Sequence, residues 1–121
     1  MSKVHLVAAT AMLFLSAPAR ADADLRKQLS KPIAGVLNST KPPPELQLCA
    51  ADAVGEGLLP LVFPPDIAGT VHIFGFGGLM GAGTVQRVVS LVKTPKGTRV
   101  EVRTRTGRTD PALTELLESC L

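Results

Sequence analysis

The stretch TVQRVVSLVKTPKGTRVEVRTRT, residues 84–106, decides the fold. It is dense in Val and Thr, β-branched residues that suit a pleated, half-buried surface. Thr94-Pro95-Lys96-Gly97-Thr98 interrupts it with turn chemistry. Pro sets φ at the first corner, and Gly takes the left-handed position of a type I turn with a glycine bulge. Residues 84–94 and 98–106 are therefore expected to form a hairpin. With Thr94 opposite Thr98, Val92 faces Val100, Ser90 faces Val102 and Val88 faces Thr104. This mostly apolar set is expected to meet the helices. On the other face Lys93 opposes Arg99, Leu91 opposes Glu101, Val89 opposes Arg103 and Arg87 opposes Arg105.

On the N-terminal side, residues 71–76 have strong β character, and a glycine-rich connection runs over 75–83. Residues 58–63 are apolar but broken by Pro60, which suits an edge strand or an extended connector. Residues 45–56 have helical spacing. Leu46, Cys49, Ala50, Ala53 and Val54 fall at i, i+3, i+4, i+7 and i+8, and Gly55 and Gly57 mark the end. Pro42-Pro43-Pro44 is a stiff spacer whose last residue can open the helix. Residues 33–40 show no clear pattern. Residues 22–31 read as a short helix stopped by Pro32.

Beyond the hairpin, Asp110-Pro111 has the chemistry of an N-cap followed by a first helical proline. Leu113, Leu116, Leu117, Cys120 and Leu121 then form one apolar stripe. Helices segregated from hairpin-linked strands predict an α+β fold: a small antiparallel sheet of three to four strands with helices packed on one face. A small β-sandwich with a terminal helix is the alternative.

The N-terminus carries a targeting signal. Lys3 is followed by a 12-residue apolar run, residues 6–17, and by Ala19-Arg20-Ala21. A positive start, a short apolar stretch and small residues at the cleavage positions define a secretory signal peptide, cut after Ala21. The expected organisation is a signal peptide over 1–21, an N-terminal helix and proline-rich linker over 22–44, and a domain over 45–121. The expected location is the periplasm or the medium. The run is too short to span a bilayer, so no transmembrane span is expected after cleavage. Cleavage removes Lys3 and Arg20, leaving 11 of the 13 basic residues against all 10 acids. The whole-chain charge of +3 thus falls to +1 and does not argue for nucleic-acid binding.

Both cysteines, Cys49 and Cys120, remain in the mature chain. One disulfide is the simplest state for two cysteines in an oxidising compartment. The helical phases agree, because each cysteine lies on the apolar stripe of its helix.

Charge is segregated along the chain. Residues 87–108 hold seven basic residues and one acid, whereas 45–66 hold four acids and no base. Arg87, Lys93, Arg99, Arg103 and Arg105 are a candidate face for an anionic partner, either another protein or an anionic envelope component. A solvated sheet face accounts for the same residues more simply. Phe76, Leu79 and Met80 are a candidate contact loop. Nucleic acid is not expected as a partner, since no aromatic residues interleave with the basic ones. The glycines supply no GxGxxG, and the lysine of a phosphate loop is missing before Thr84.

Catalysis is not expected, and neither a cofactor nor a metal site is predicted. The mature chain has one histidine, His72, and its serines lie in no nucleophile motif. The function expected is non-catalytic binding, of the inhibitor, immunity or envelope-accessory type. Two other classes compete with it. One is a small secreted enzyme using His72 with a carboxylate such as Asp66. The other is a membrane-active or self-assembling protein using residues 71–85.

Overall fold

The computed structural model describes residues 25–56, 59–77 and 84–121. Two units divide the chain, residues 1–30 and 31–121. In the first, residues 25–29 are helical and Ser30 closes the turn, its N–H donating to the Arg26 carbonyl at 3.0 Å.

The second unit is one antiparallel sheet with two helices. Its elements in chain order are β1 (Gly35–Ser39), α1 (Pro43–Gly55), β2 (Leu59–Val62), β3 (Val71–Gly77), β4 (Thr84–Thr94), β5 (Gly97–Thr104) and α2 (Pro111–Glu118). The strand order is β1-β5-β4-β3-β2, so the sheet has five strands and not the three to four expected. The additional strand is β1. It lies within the span expected to be a linker, and it pairs with the outer side of β5 from Gly35↔Val102 to Ser39↔Thr98. β2 is the edge strand that Pro60 suggested.

Local chemistry accounts for the helices. Pro43, not Pro44, is the first residue of α1, and Pro42 precedes it in extended conformation at φ −69°. Leu46, Ala50, Ala53 and Val54 are the buried stripe, as their spacing requires. In α2 the Asp110 carboxylate accepts the Leu113 N–H at 3.1 Å, satisfying a donor that the first turn leaves open. Leu113 and Leu117 face inward. Both helices cover one sheet face, where Val71, Ile73, Val89, Leu91, Val100 and Val102 complete the core. Burying each such side chain contributes about 1.5–3 kcal/mol. Cys49 and Cys120 are bonded, with Cα atoms 5.7 Å apart, and tie α1 to the segment just after α2.

The hairpin register differs from the expected one by a single residue. Thr94 pairs with Gly97 across the two-residue loop Pro95-Lys96, so Val92 opposes Arg99, Ser90 opposes Glu101 and Val88 opposes Arg103. A one-residue slip turns a strand over. β5 keeps its expected inward set, but on β4 Val89 and Leu91 face the helices. Val88, Ser90 and Val92 lie on the face opposite the helices instead, where Val88 and Ser90 are nonetheless buried. The cause is that β4 is the central strand and is apolar on both sides, so alternation does not distinguish its faces. Two like-charged pairs of the expected register, Lys93 with Arg99 and Arg87 with Arg105, are not formed.

Candidate functional site

The one-residue shift splits the expected cationic face. Arg99 and Arg103 share the face opposite the helices with Glu101, which lies between them. Arg99 Nε is 3.0 Å from Glu101 Oε2, and Arg103 Nη1 is 3.7 Å from Oε1. Arg103 Nε also donates to the Lys31 carbonyl at 3.0 Å. Both guanidinium groups are thus engaged internally. Lys93 lies on the helix-side face opposite Thr98 and joins neither of them.

Arg87 and Arg105 meet elsewhere, at the end of the sheet where β5 turns into α2. They line a pocket of about 570 Å³ together with Arg108 and the hydroxyl-bearing Thr104, Thr106 and Thr109. The loop that builds it is short and internally bonded. The Thr104 hydroxyl donates to the Arg108 carbonyl at 2.6 Å, and Gly107 turns the chain with φ 76°. The Arg105 N–H donates to the Gln86 carbonyl at 2.9 Å, extending the pairing of β4 past the strand end. Arg87 Nη1 stands 3.6 Å from Asp110 Oδ2, so the N-cap of α2 also positions this guanidinium. Among the described residues lining the pocket, Asp110 is the one carboxylate, against three arginines. Exposed Arg105 and Arg108 are in no ion pair among the described residues. Planar guanidinium groups beside hydroxyl donors are suited to bind carboxylate or phosphate oxygens. Arg108 and the threonines carry no motif in the sequence. Their only signal is the alternation Thr-Arg-Thr-Gly-Arg-Thr over 104–109.

His72 does meet Asp66, and Ser90 joins them. His72 Nδ1 lies 2.8 Å from Ser90 Oγ, and Nε2 lies 3.6 Å from Asp66 Oδ2. The three residue types are those of a serine hydrolase, but two features oppose that chemistry. Ser90 is only 1% exposed. It also sits on the central strand, whose own backbone N–H groups pair with both neighbours and so are not free for an oxyanion. Asp66 has a local task instead. Its Oδ1 accepts the backbone N–H groups of Ala68 and Thr70, each at 2.9 Å.

The Thr70 N–H foremost holds the Asp66 carboxyl below the ordinary aspartate value of 3.8; burial, the next-largest effect, opposes it, and the Ala68 N–H and His72 add to the lowering. The folded carboxylate therefore binds protons more weakly than the unfolded one. Its contribution to the 66–70 turn is complete above the unfolded range and is lost as pH falls through the lower folded value. In an NMR titration the Ala68 and Thr70 amides should move together, with a midpoint below 3.8. Asp66→Asn should abolish that transition. A midpoint at or above the ordinary value would contradict the assignment.

Of the candidate contact loop, Phe76 is half-buried in β3, and Leu79 and Met80 lie outside the described residues. Within residues 71–85, the apolar side chains of Val71, Ile73 and Phe74 are buried in the fold. Among the described residues no helix is long and apolar enough to cross a membrane, and no His, Cys, Asp and Glu cluster is arranged to hold a metal. Comparison with known protein families, characterised proteins and solved structures returns no match for this chain.

Proposed function

We propose that this protein is a small exported domain that works by binding, without catalysis, and that it takes an anionic partner on the arginine pocket. The observation that carries the reading is the convergence of Arg87, Arg105 and Arg108 on one pocket, where the one carboxylate among the described lining residues already contacts Arg87. Export rests on the leader-like N-terminus and agrees with the Cys49–Cys120 bond, which suits an oxidising compartment. The partner is a carboxylate-rich protein surface or an anionic envelope component.

The test titrates the mature chain with poly-glutamate and with phosphatidylglycerol vesicles at low and high salt. Binding to one of them should weaken as salt rises. Arg105→Glu with Arg108→Glu should weaken it by about tenfold or more, since a charge-assisted bond contributes roughly 1.5–3 kcal/mol. The melting temperature should hardly change, because both side chains are exposed. Equal binding by the double variant, or no binding of either probe at low salt, would refute the reading. Intact mass of protein from fractionated cells tests export separately: a chain beginning at Asp22 is expected.

A further inference from the structure

The two edges of the sheet are built differently. β2 carries Pro60, which removes a backbone donor and blunts its edge. β1 is Gly-Val-Leu-Asn-Ser, without proline or charge, and its register with β5 is regular over all 5 residues. Natural sheets guard long-lived edges with prolines, charges or bulges, because unpaired N–H and C=O groups recruit further strands. β1 has none of these guards, and Val36 on it is 49% exposed.

A groove of about 610 Å³ runs beside this edge. Gly35, Val36 and Leu37 form one wall, and Thr114, Glu115 and Glu118 of α2 form the other. Glu115 and Glu118 are three apart and so share a helix face. Neither belongs to an ion pair among the described residues. The Thr114 hydroxyl is engaged, donating to the Asp110 carbonyl at 2.9 Å. The groove thus combines an unguarded edge with two unneutralised carboxylates.

Charge selects the occupant. A strand added beside β1 would lie about 4.8 Å from it and turn alternate side chains toward α2. If the strand were β1 of a second copy, the two-fold axis would bring both α2 helices to the same seam. The carboxylates of both copies would then face one another, and β1 itself offers no cation to offset them. A basic strand meets the same wall with attraction. We propose that the β1–α2 groove accepts an extended, basic segment of another polypeptide as a sixth strand, with Lys or Arg at alternate positions against Glu115 and Glu118. Backbone pairing supplies affinity, and the carboxylates supply selectivity. This site does not depend on the arginine pocket.

The experiment uses the mature chain and two short blocked peptides, one alternating Val with Lys and the other Val with Glu. Hydrogen exchange followed by NMR reports where each binds. The lysine peptide should slow exchange of β1 amides within 35–39 and bind about tenfold more tightly than the glutamate peptide. Glu115→Lys with Glu118→Lys should reverse that preference. Glu115→Gln with Glu118→Gln should erase it, which guards against a folding defect in the reversed variant. Equal binding of both peptides, protection away from β1, or no binding would overturn the proposal. So would protection of β1 by rising protein concentration alone, with a dimer in sedimentation, because the occupant would then be a second copy.

Discussion

Replacing Cys49 and Cys120 together with alanine is expected to lower the melting temperature by roughly 15–30 °C. The bond closes a loop spanning a sequence separation of 71. A loop of that size contributes about 4 kcal/mol in the chain-entropy model. A domain of this size is stable by only about 5–10 kcal/mol, so roughly half its margin goes. The loss should not be uniform. α2 is joined to the core through Leu113 and Leu117, and the segment just after it is tied to α1 by the disulfide, whereas the sheet has its own ladders. Hydrogen exchange in the double variant should therefore rise first in α2. Thermal melting with and without reductant on the native chain checks the magnitude. A fall of only a few degrees would mean that the core alone already holds the helix pair together.

Gly97→Ala is expected to destabilise by about 3 kcal/mol or more, from two causes that a second variant separates. Gly97 has φ 143°, a conformation that side chains rarely adopt. A Cβ there would also overlap the Ser39 carbonyl oxygen and approach the Thr40 Cα to 2.8 Å. Those atoms are backbone and belong to the link between β1 and α1. The link cannot retreat easily, because the buried Thr98 hydroxyl donates to the Lys41 carbonyl at 2.7 Å and Lys41 Nζ donates to the Cys120 carbonyl at 3.0 Å. Gly107 provides the comparison. Its φ is 76°, and nothing lies within 4 Å of an added Cβ. Gly107→Ala should thus lose only the backbone preference, about 1 kcal/mol. Urea melts of the two variants measure the difference, which reports the close approach at Gly97. Equal losses would mean that the β1–α1 link yields.

The same contact explains the unexpected register. A three-residue turn ending at Thr98 satisfies the local chemistry of Pro95-Lys96-Gly97. In the folded chain β5 begins at Gly97, and β1 pairs with it as far as Ser39↔Thr98. Gly97 is therefore needed where another backbone passes over it, not only at a turn corner. The pocket was equally indistinct in sequence. Arg87 and Arg105 were expected to oppose each other in a hairpin. They meet instead because the chain after β5 folds back through Arg108 and Asp110 onto the end of β4. The His72–Asp66 contact was a candidate pair in sequence. Ser90 joins them only because β4 turns that residue to the face opposite the helices, the reverse of the expected register.

Residue spacing alone is enough for α1, α2, their buried stripes, the Asp110 cap and the pairing of Cys49 with Cys120. Helix spacing and capping are local; Cys49 follows the phase of α1, and Cys120 falls just past the end of α2. Local chemistry also turns a hairpin near Pro95 and marks an edge at Pro60. Tertiary pairing makes residues 35–39 a strand, since so short a segment gains its partner from the free side of β5. It alone chose the inward face of β4, whose valines suit either side of a central strand. It alone separated Lys93, Arg99 and Arg103 from the pocket formed by Arg87, Arg105 and Arg108. Strand register and loop return depend on partners distant in the chain, and no local periodicity encodes them.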